Sequence, residues 1–123
     1  MVRTYSRWIG IALAVLGLTG LILPGVSSAA RLPVDARHNA IYLLSGMVLA
    51  TLAYSDKGAD VGTAIRIGVQ TSGIVYTLMG LLGLIGDGTL LGLFPATLFH
   101  NLIHLAVGLL GMYAGFGGMT ANE

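Results

Sequence analysis

The sequence predicts an all-α membrane protein: four transmembrane helices in a bundle made of two tandem helical hairpins, related by a pseudo-two-fold axis along the membrane normal. Three observations carry that expectation. Only 9% of the 123 residues are charged while 55% are hydrophobic, and the mean hydropathy is +0.87. Four long apolar stretches alternate with polar or Gly/Pro-rich connections, and the first half of the chain is echoed in the second. A soluble domain carries about 25% charged residues, and one of this size could not cover its surface with so few. That excludes an ordinary cytosolic enzyme, a disordered tail and, with a net charge of +1, a basic nucleic-acid binder. There is no cysteine, hence no disulfide, thiolate metal site or thiol nucleophile.

A helix needs roughly 20 apolar residues to cross a bilayer, with a range of about 17–25. The first such stretch runs from about Trp8 to Leu23 and stops at Pro24-Gly25. The second runs from about Asn39 to Tyr54, with Val34 as its earliest start. The third runs from about Ile67 to Gly86 and the fourth from about Ala96 to Phe116. The connections Ser27 to Arg37, Ser55 to Arg66 and Asp87 to Pro95 read as loops, with Pro33 and Pro95 suited to the first turns of the second and fourth helices. No strand-like alternation of a membrane barrel is present, so helices must satisfy the backbone in lipid. Arg3 and Arg7, the apolar run and Ser27-Ser28-Ala29 also resemble a cleavable signal peptide. The internal repeat favours a retained span.

Shifted by 63, Arg3 falls on Arg66, Gly10 on Gly73, Gly17 on Gly80 and Gly20 on Gly83; shifted by 62, Pro33 falls on Pro95, His38 on His100, Asn39 on Asn101 and Gly46 on Gly108. Fourteen of the forty-four aligned positions are identical, against about four or five expected by chance at this composition. The repeat defines hairpins over about 3–54 and 66–116 within a single membrane domain, 1–123. Two spans per unit return the chain to its starting side, so both hairpins share one orientation. Arg3, Arg7, Lys57 and Arg66 on the terminal side outnumber Arg31 and Arg37 opposite. That places both termini in the cytoplasm of a bacterial inner membrane.

Each span carries a stripe of small residues with a polar end: Arg3, Arg7, Gly10, Ala14, Gly17; His38, Tyr42, Gly46, Ala50, Ala53; Arg66, Gln70, Gly73, Thr77, Gly80; and His100, His104, Gly108, Gly111, Gly115. Spacings of three and four put each set on one helix face. Small residues let helices approach closely in lipid, and a glycine costs about 1 kcal/mol against alanine inside a helix, so this many need a packing reason. The stripes are expected to converge. Gly10, Gly17, Gly46, Gly73, Gly80, Gly108, Gly111 and Gly115 are the expected packing residues, and Arg3 and Arg66 the interface anchors.

The motif Asn-x2-His-x3-Gly at Asn101, His104 and Gly108, together with Gly-x6-Gly-x2-Gly at Gly10/Gly17/Gly20 and Gly73/Gly80/Gly83, resembles a domain-of-unknown-function family of small four-span bacterial membrane proteins. The first copy of the motif keeps Asn39 and Gly46 but has Tyr42 in the histidine slot. The resemblance implies the four-span fold and no activity.

His38, His100 and His104 are the candidate cofactor ligands; the alternative is hydrogen bonding between helices. Asn39 and Asn101 read as caps or interhelical bonds, Gln70 as an interhelical bond and Asp87 as a turn residue. No acidic residue lies within a span, the one lysine, Lys57, is in a loop, and Ser45-Gly46 lacks the glycine that precedes a nucleophilic serine, so no catalytic residue and no protein-held metal is expected. The leading expectation is a non-enzymatic packing or accessory subunit, with no cofactor, acting through helix contacts with itself or other membrane subunits and the lipid bilayer. The alternatives are a haem- or (bacterio)chlorophyll-carrying subunit of an electron-transfer or light-harvesting assembly, and a small transporter or channel.

Overall fold

The structure is a computed structural model that describes residues 1–29, 35–56, 58–86 and 88–117. It is all-α apart from one short hairpin. The elements are α1 (Val2–Ile22), α2 (Pro24–Ala29), α3 (Ala36–Tyr54), α4 (Ala59–Ile85), β1 (Thr89–Leu90), β2 (Phe94–Pro95) and α5 (Leu98–Phe116). Three of the helices, α1, α4 and α5, are long and apolar enough to cross a membrane. The second expected span folds as α3, 19 residues long. Its first turn holds Arg37, His38 and Asn39, and that polar start keeps it out of the apolar set. The expected breaks fall near their places, but α1 and α4 begin earlier. α1 starts six residues before Trp8 and α4 eight before Ile67, because a polar helical turn can stand in the headgroup region where apolarity is no longer required.

Two helix pairs form the body of the fold. α1 lies along α3 and α4 along α5, while contacts between the pairs are sparser. The glycine stripes explain the pairing. A Cβ at Gly46 would meet the backbone of Ala14 and, at 2.6 Å, the Gly10 carbonyl; one at Gly10 would lie 2.6 Å from the Ala50 nitrogen. A Cβ at Gly17 would strike Asn39 and Leu43. In the other pair, Gly108 abuts Thr77, Gly73 would set a Cβ 2.5 Å from the Met112 nitrogen, and Gly80 would set one 2.7 Å from Leu105 Cγ. Gly115 abuts Gln70, and Gly111 faces both Gly73 and the Tyr5 ring. The stripes expected to converge on one axis therefore pair off within the two helix pairs, because each glycine needs a backbone, not a void, opposite it.

The core is thin. Leu13, Tyr42, Leu49, Ile65, Val69 and Tyr76 are buried, whereas Trp8, Leu44, Tyr54, Ile67, Leu78, Leu109 and Leu110 all exceed 50% exposure. Apolar surface on this scale is incompatible with a water-facing monomer and suits a lipid-facing one.

The connection after α4 departs from the expected loop. Thr89–Leu90 pairs antiparallel with Phe94–Pro95, and Leu93 N–H donates to the Leu90 carbonyl at 2.9 Å. Pro95 thus ends a strand three residues before α5 rather than occupying its first turn, and Thr97 caps the helix. Pro33, the other expected first-turn proline, lies outside the described residues, as do Arg31, Lys57 and Asp87. The turn's central residues, Leu91 and Gly92, both have positive φ, 52° and 70°. That is a type I′ turn, which favours Asn-Gly; a leucine there is strained. Leu91→Asn is expected to stabilise the fold by about 0.5–1 kcal/mol, read as a raised midpoint in a thermal melt.

Candidate functional site

α3 and α5 begin at the same end of the molecule, and their caps set the histidines. The Asp35 side chain accepts from the N–H groups of Arg37 (2.9 Å) and His38 (3.1 Å). Thr97 Oγ1 accepts from His100 N–H at 3.3 Å. Asp35 and Thr97 are themselves 62 apart, the offset that relates the two histidines. These caps satisfy orphan amides of the first turns and hold His38 and His100 each three residues into the helix.

The three predicted histidines do come together. The His38 ring lies 5.9 Å from that of His100 and is stacked at 5.3 Å on that of His104. Tyr42 and Phe94 rings stand 5.3 and 5.4 Å from His38 on its other sides, the latter brought over the cluster by the β1–β2 hairpin. All three histidines are 4% exposed or less. Tyr42 OH and His104 Nε2 are 2.6 Å apart, a bond between the two helix pairs at positions equivalent under the repeat. Thr97 Oγ1 and His100 Nδ1 are 2.8 Å apart. Four ring nitrogens remain buried with no hydrogen-bond partner: both of His38, Nε2 of His100 and Nδ1 of His104. Aromatic rings therefore surround His38 on several sides, all with centroids within 6 Å of its own.

Asn39 and Asn101 do not cap. Their side-chain amides lie against Gly20 and Gly83, where any Cβ would overlap them; Asn101 Nδ2 reaches the Ala96 carbonyl at 3.4 Å. Gly20 and Gly83 are thus packing residues that the stripe pattern missed, although the repeated Gly-x6-Gly-x2-Gly contains both. At the opposite end, Arg3 Nη1 donates to the carbonyls of Ala53 (2.8 Å) and Ser55 (3.0 Å), capping α3 rather than only reaching for the interface. Gln70 Nε2 donates to the Gly115 carbonyl at 3.0 Å, the interhelical bond expected of it. Ala53 and Gly115 are also 62 apart, so two different side chains cap equivalent carbonyls. Arg66 is half-buried on α4.

Hydroxyl groups line the interior between the two ends, and sequence reasoning overlooked most of them. Ser45 Oγ donates to the Ile41 carbonyl at 2.7 Å, so its 2.8 Å contact with Tyr76 OH has the tyrosine as donor. Tyr5 OH donates to the Val107 carbonyl at 2.8 Å and Ser6 Oγ to the Leu49 carbonyl at 2.7 Å. Each crosses between helices. Tyr5, Ser6 and Ser45 share no glycine-like periodicity, so a single sequence offers no signal for them beyond their polarity inside a span. They serve as separate bonds, each proton spent on its own acceptor, rather than as one chain of donors through the bundle.

Comparison with known proteins adds no assignment: no family model, curated protein or solved structure matches the chain.

Proposed function

We propose that the chain is a non-enzymatic integral membrane protein, a four-span bundle of two same-sense hairpins that serves as a packing or accessory subunit in a homo-oligomer or larger membrane complex. The observation that carries this reading is the division of labour between interior and surface. The interior polar groups of Tyr5, Ser6, Tyr42, Ser45, Gln70 and Tyr76 are spent on bonds between helices, while the outer faces carry exposed Val48, Ile67, Leu78 and Leu109. Apart from the histidine cluster, what remains for another molecule to touch is the apolar outer surface. A cleft of about 380 Å³ opens on it between α3 and α4, walled by Ile41, Leu44, Val48 and Val75.

The hairpin repeat is supported by matched contacts. Gly10 meets Gly46 and Ala50 where Gly73 meets Gly108 and Met112, and Gly17 meets Asn39 and Leu43 where Gly80 meets Asn101 and Leu105. These partners stand at the 62- and 63-residue offsets. The Asn101, His104, Gly108 signature fits the same reading as a small four-span family. The basic residues favour cytoplasmic termini in a bacterial inner membrane, with the histidine cluster at the opposite face.

The test is the native mass and absorption spectrum of protein purified in mild detergent. A colourless assembly larger than one chain is expected. A strictly monomeric particle, or a visible band lost in His100→Ala, overturns the reading.

A further inference from the structure

We infer that His38 and His100 form a two-coordinate binding site for a single monovalent copper ion. The inference stands apart from the subunit reading above, since it concerns the interior of one chain. Imidazole is a good ligand for copper and zinc, and the donor set here is imidazole alone. Two rings bound to one ion at about 2 Å per bond place their centroids roughly 6 Å apart or less. His38 meets that spacing toward His100, at 5.9 Å with the rings tilted by 36°; the His104 ring is stacked on His38, and its lone pair does not converge on the same point.

The free nitrogens are the ones such a site needs. With Nδ1–H donating to Thr97 Oγ1, His100 leaves the Nε2 lone pair free; with Nε2–H donating to Tyr42 OH, His104 leaves Nδ1 free. A ligating histidine is oriented through its other ring nitrogen in this way. His38 has both nitrogens unpartnered at 1% exposure. A buried polar group with no bond costs about 1–3 kcal/mol, so an occupant that accepts these lone pairs is strongly favoured.

Charge and coordination number select the ion. Asp35 is the carboxylate within electrostatic reach of His38, which offsets one positive charge and not two; a buried uncompensated charge is costly. Among the described residues no three His, Asp or Glu side chains stand ready around one point. That disfavours a tetrahedral divalent ion and suits a d10 monovalent ion, which accepts two ligands. The helix N-termini do not compete for an anion here, because Asp35 and Thr97 already take their amides.

The experiment titrates the full-length, metal-free protein in detergent with Cu(I) under anaerobic reducing conditions, against a chromophoric Cu(I) chelator. Wild type is expected to hold one equivalent per chain. His38→Phe and His100→Ala are each expected to weaken binding at least ten-fold, and Thr71→Ala, far from the cluster, to leave it unchanged. Since the histidine variants can misfold, X-ray absorption of copper-loaded wild type provides a second readout, with two nitrogen neighbours and no sulfur expected. Absence of binding, binding that survives both histidine substitutions, sulfur coordination, or preference for Zn(II) over Cu(I) overturns the assignment.

Discussion

Replacing Gly46 with leucine will destabilise the protein by about 3 kcal/mol or more, and Gly108→Leu will do the same in the other helix pair. At Gly46 the added Cβ runs into the Ala14 backbone and stands 2.6 Å from the Gly10 carbonyl. At Gly108 it runs into Thr77, with the Thr77 Cα 2.8 Å away. In both places the obstacle is backbone, which no rotamer change can clear, so the helices must separate. Separation also breaks contacts that bind the same pair, such as Ser6 Oγ to the Leu49 carbonyl in the first and Gln70 Nε2 to the Gly115 carbonyl in the second. Lipid offers no hydrophobic force to press the helices together again. The measurement is the midpoint of unfolding in a denaturing-detergent titration. Gly25→Ala is the matched control: nothing lies within 4 Å of its added Cβ, so a shift within about 0.5 kcal/mol is expected. Equal small effects at Gly25, Gly46 and Gly108 would mean that the glycines do not set the helix spacing.

The contrast between these glycines shows what the sequence could and could not say. Spacings of three and four identify a face of small residues, so Gly10, Gly17, Gly46, Gly73, Gly80 and Gly108 were all legible as packing positions. The hairpin repeat already put α1 with α3 and α4 with α5; that the glycine stripes meet inside those pairs, rather than all four converging, is a long-range fact that spacing does not carry. The histidine cluster was half legible. The repeat related His38 to His100 and the i, i+4 spacing related His100 to His104, but neither says whether equivalent positions meet. They do so because Asp35 and Thr97 start α3 and α5 at matching points, and because a β-hairpin folds Phe94 over His38. That hairpin was unreadable, since its two strands are two residues long, too short for any period, and its turn carries a leucine at positive φ. Asn39 and Asn101, read as caps or interhelical bonds, turn out to pack against glycines instead. Residue type suggests a polar partner, whereas Gly20 and Gly83, having no Cβ, leave the space that the amides fill.

The bond between Tyr42 and His104 is expected to carry the largest single side-chain coupling between the two helix pairs. The two residues occupy the same slot of the repeat, 62 apart, and meet at 2.6 Å with both side chains 1% exposed. Tyr42→Phe removes the hydroxyl and leaves a second nitrogen of His104 unpaired, because its Nδ1 already lacks a partner. His104→Phe instead leaves the Tyr42 hydroxyl unpaired. Each variant is expected to lose about 1–2 kcal/mol. The double variant replaces both polar groups with rings of similar shape and strands neither, so it should lose less than the sum of the two, with a coupling of about 1 kcal/mol. Interhelical hydrogen bonds in membranes average about 0.6 kcal/mol and reach about 1.7; this pair belongs at the upper end because no water competes for it. The four proteins of the cycle are compared by denaturing-detergent unfolding under one condition. Simple additivity would show that the two groups do not depend on each other and that the contact across the repeat is incidental. A coupling of the expected size would show that Tyr42, standing where the repeated motif has histidine, is the partner that fixes His104 and ties one hairpin to the other.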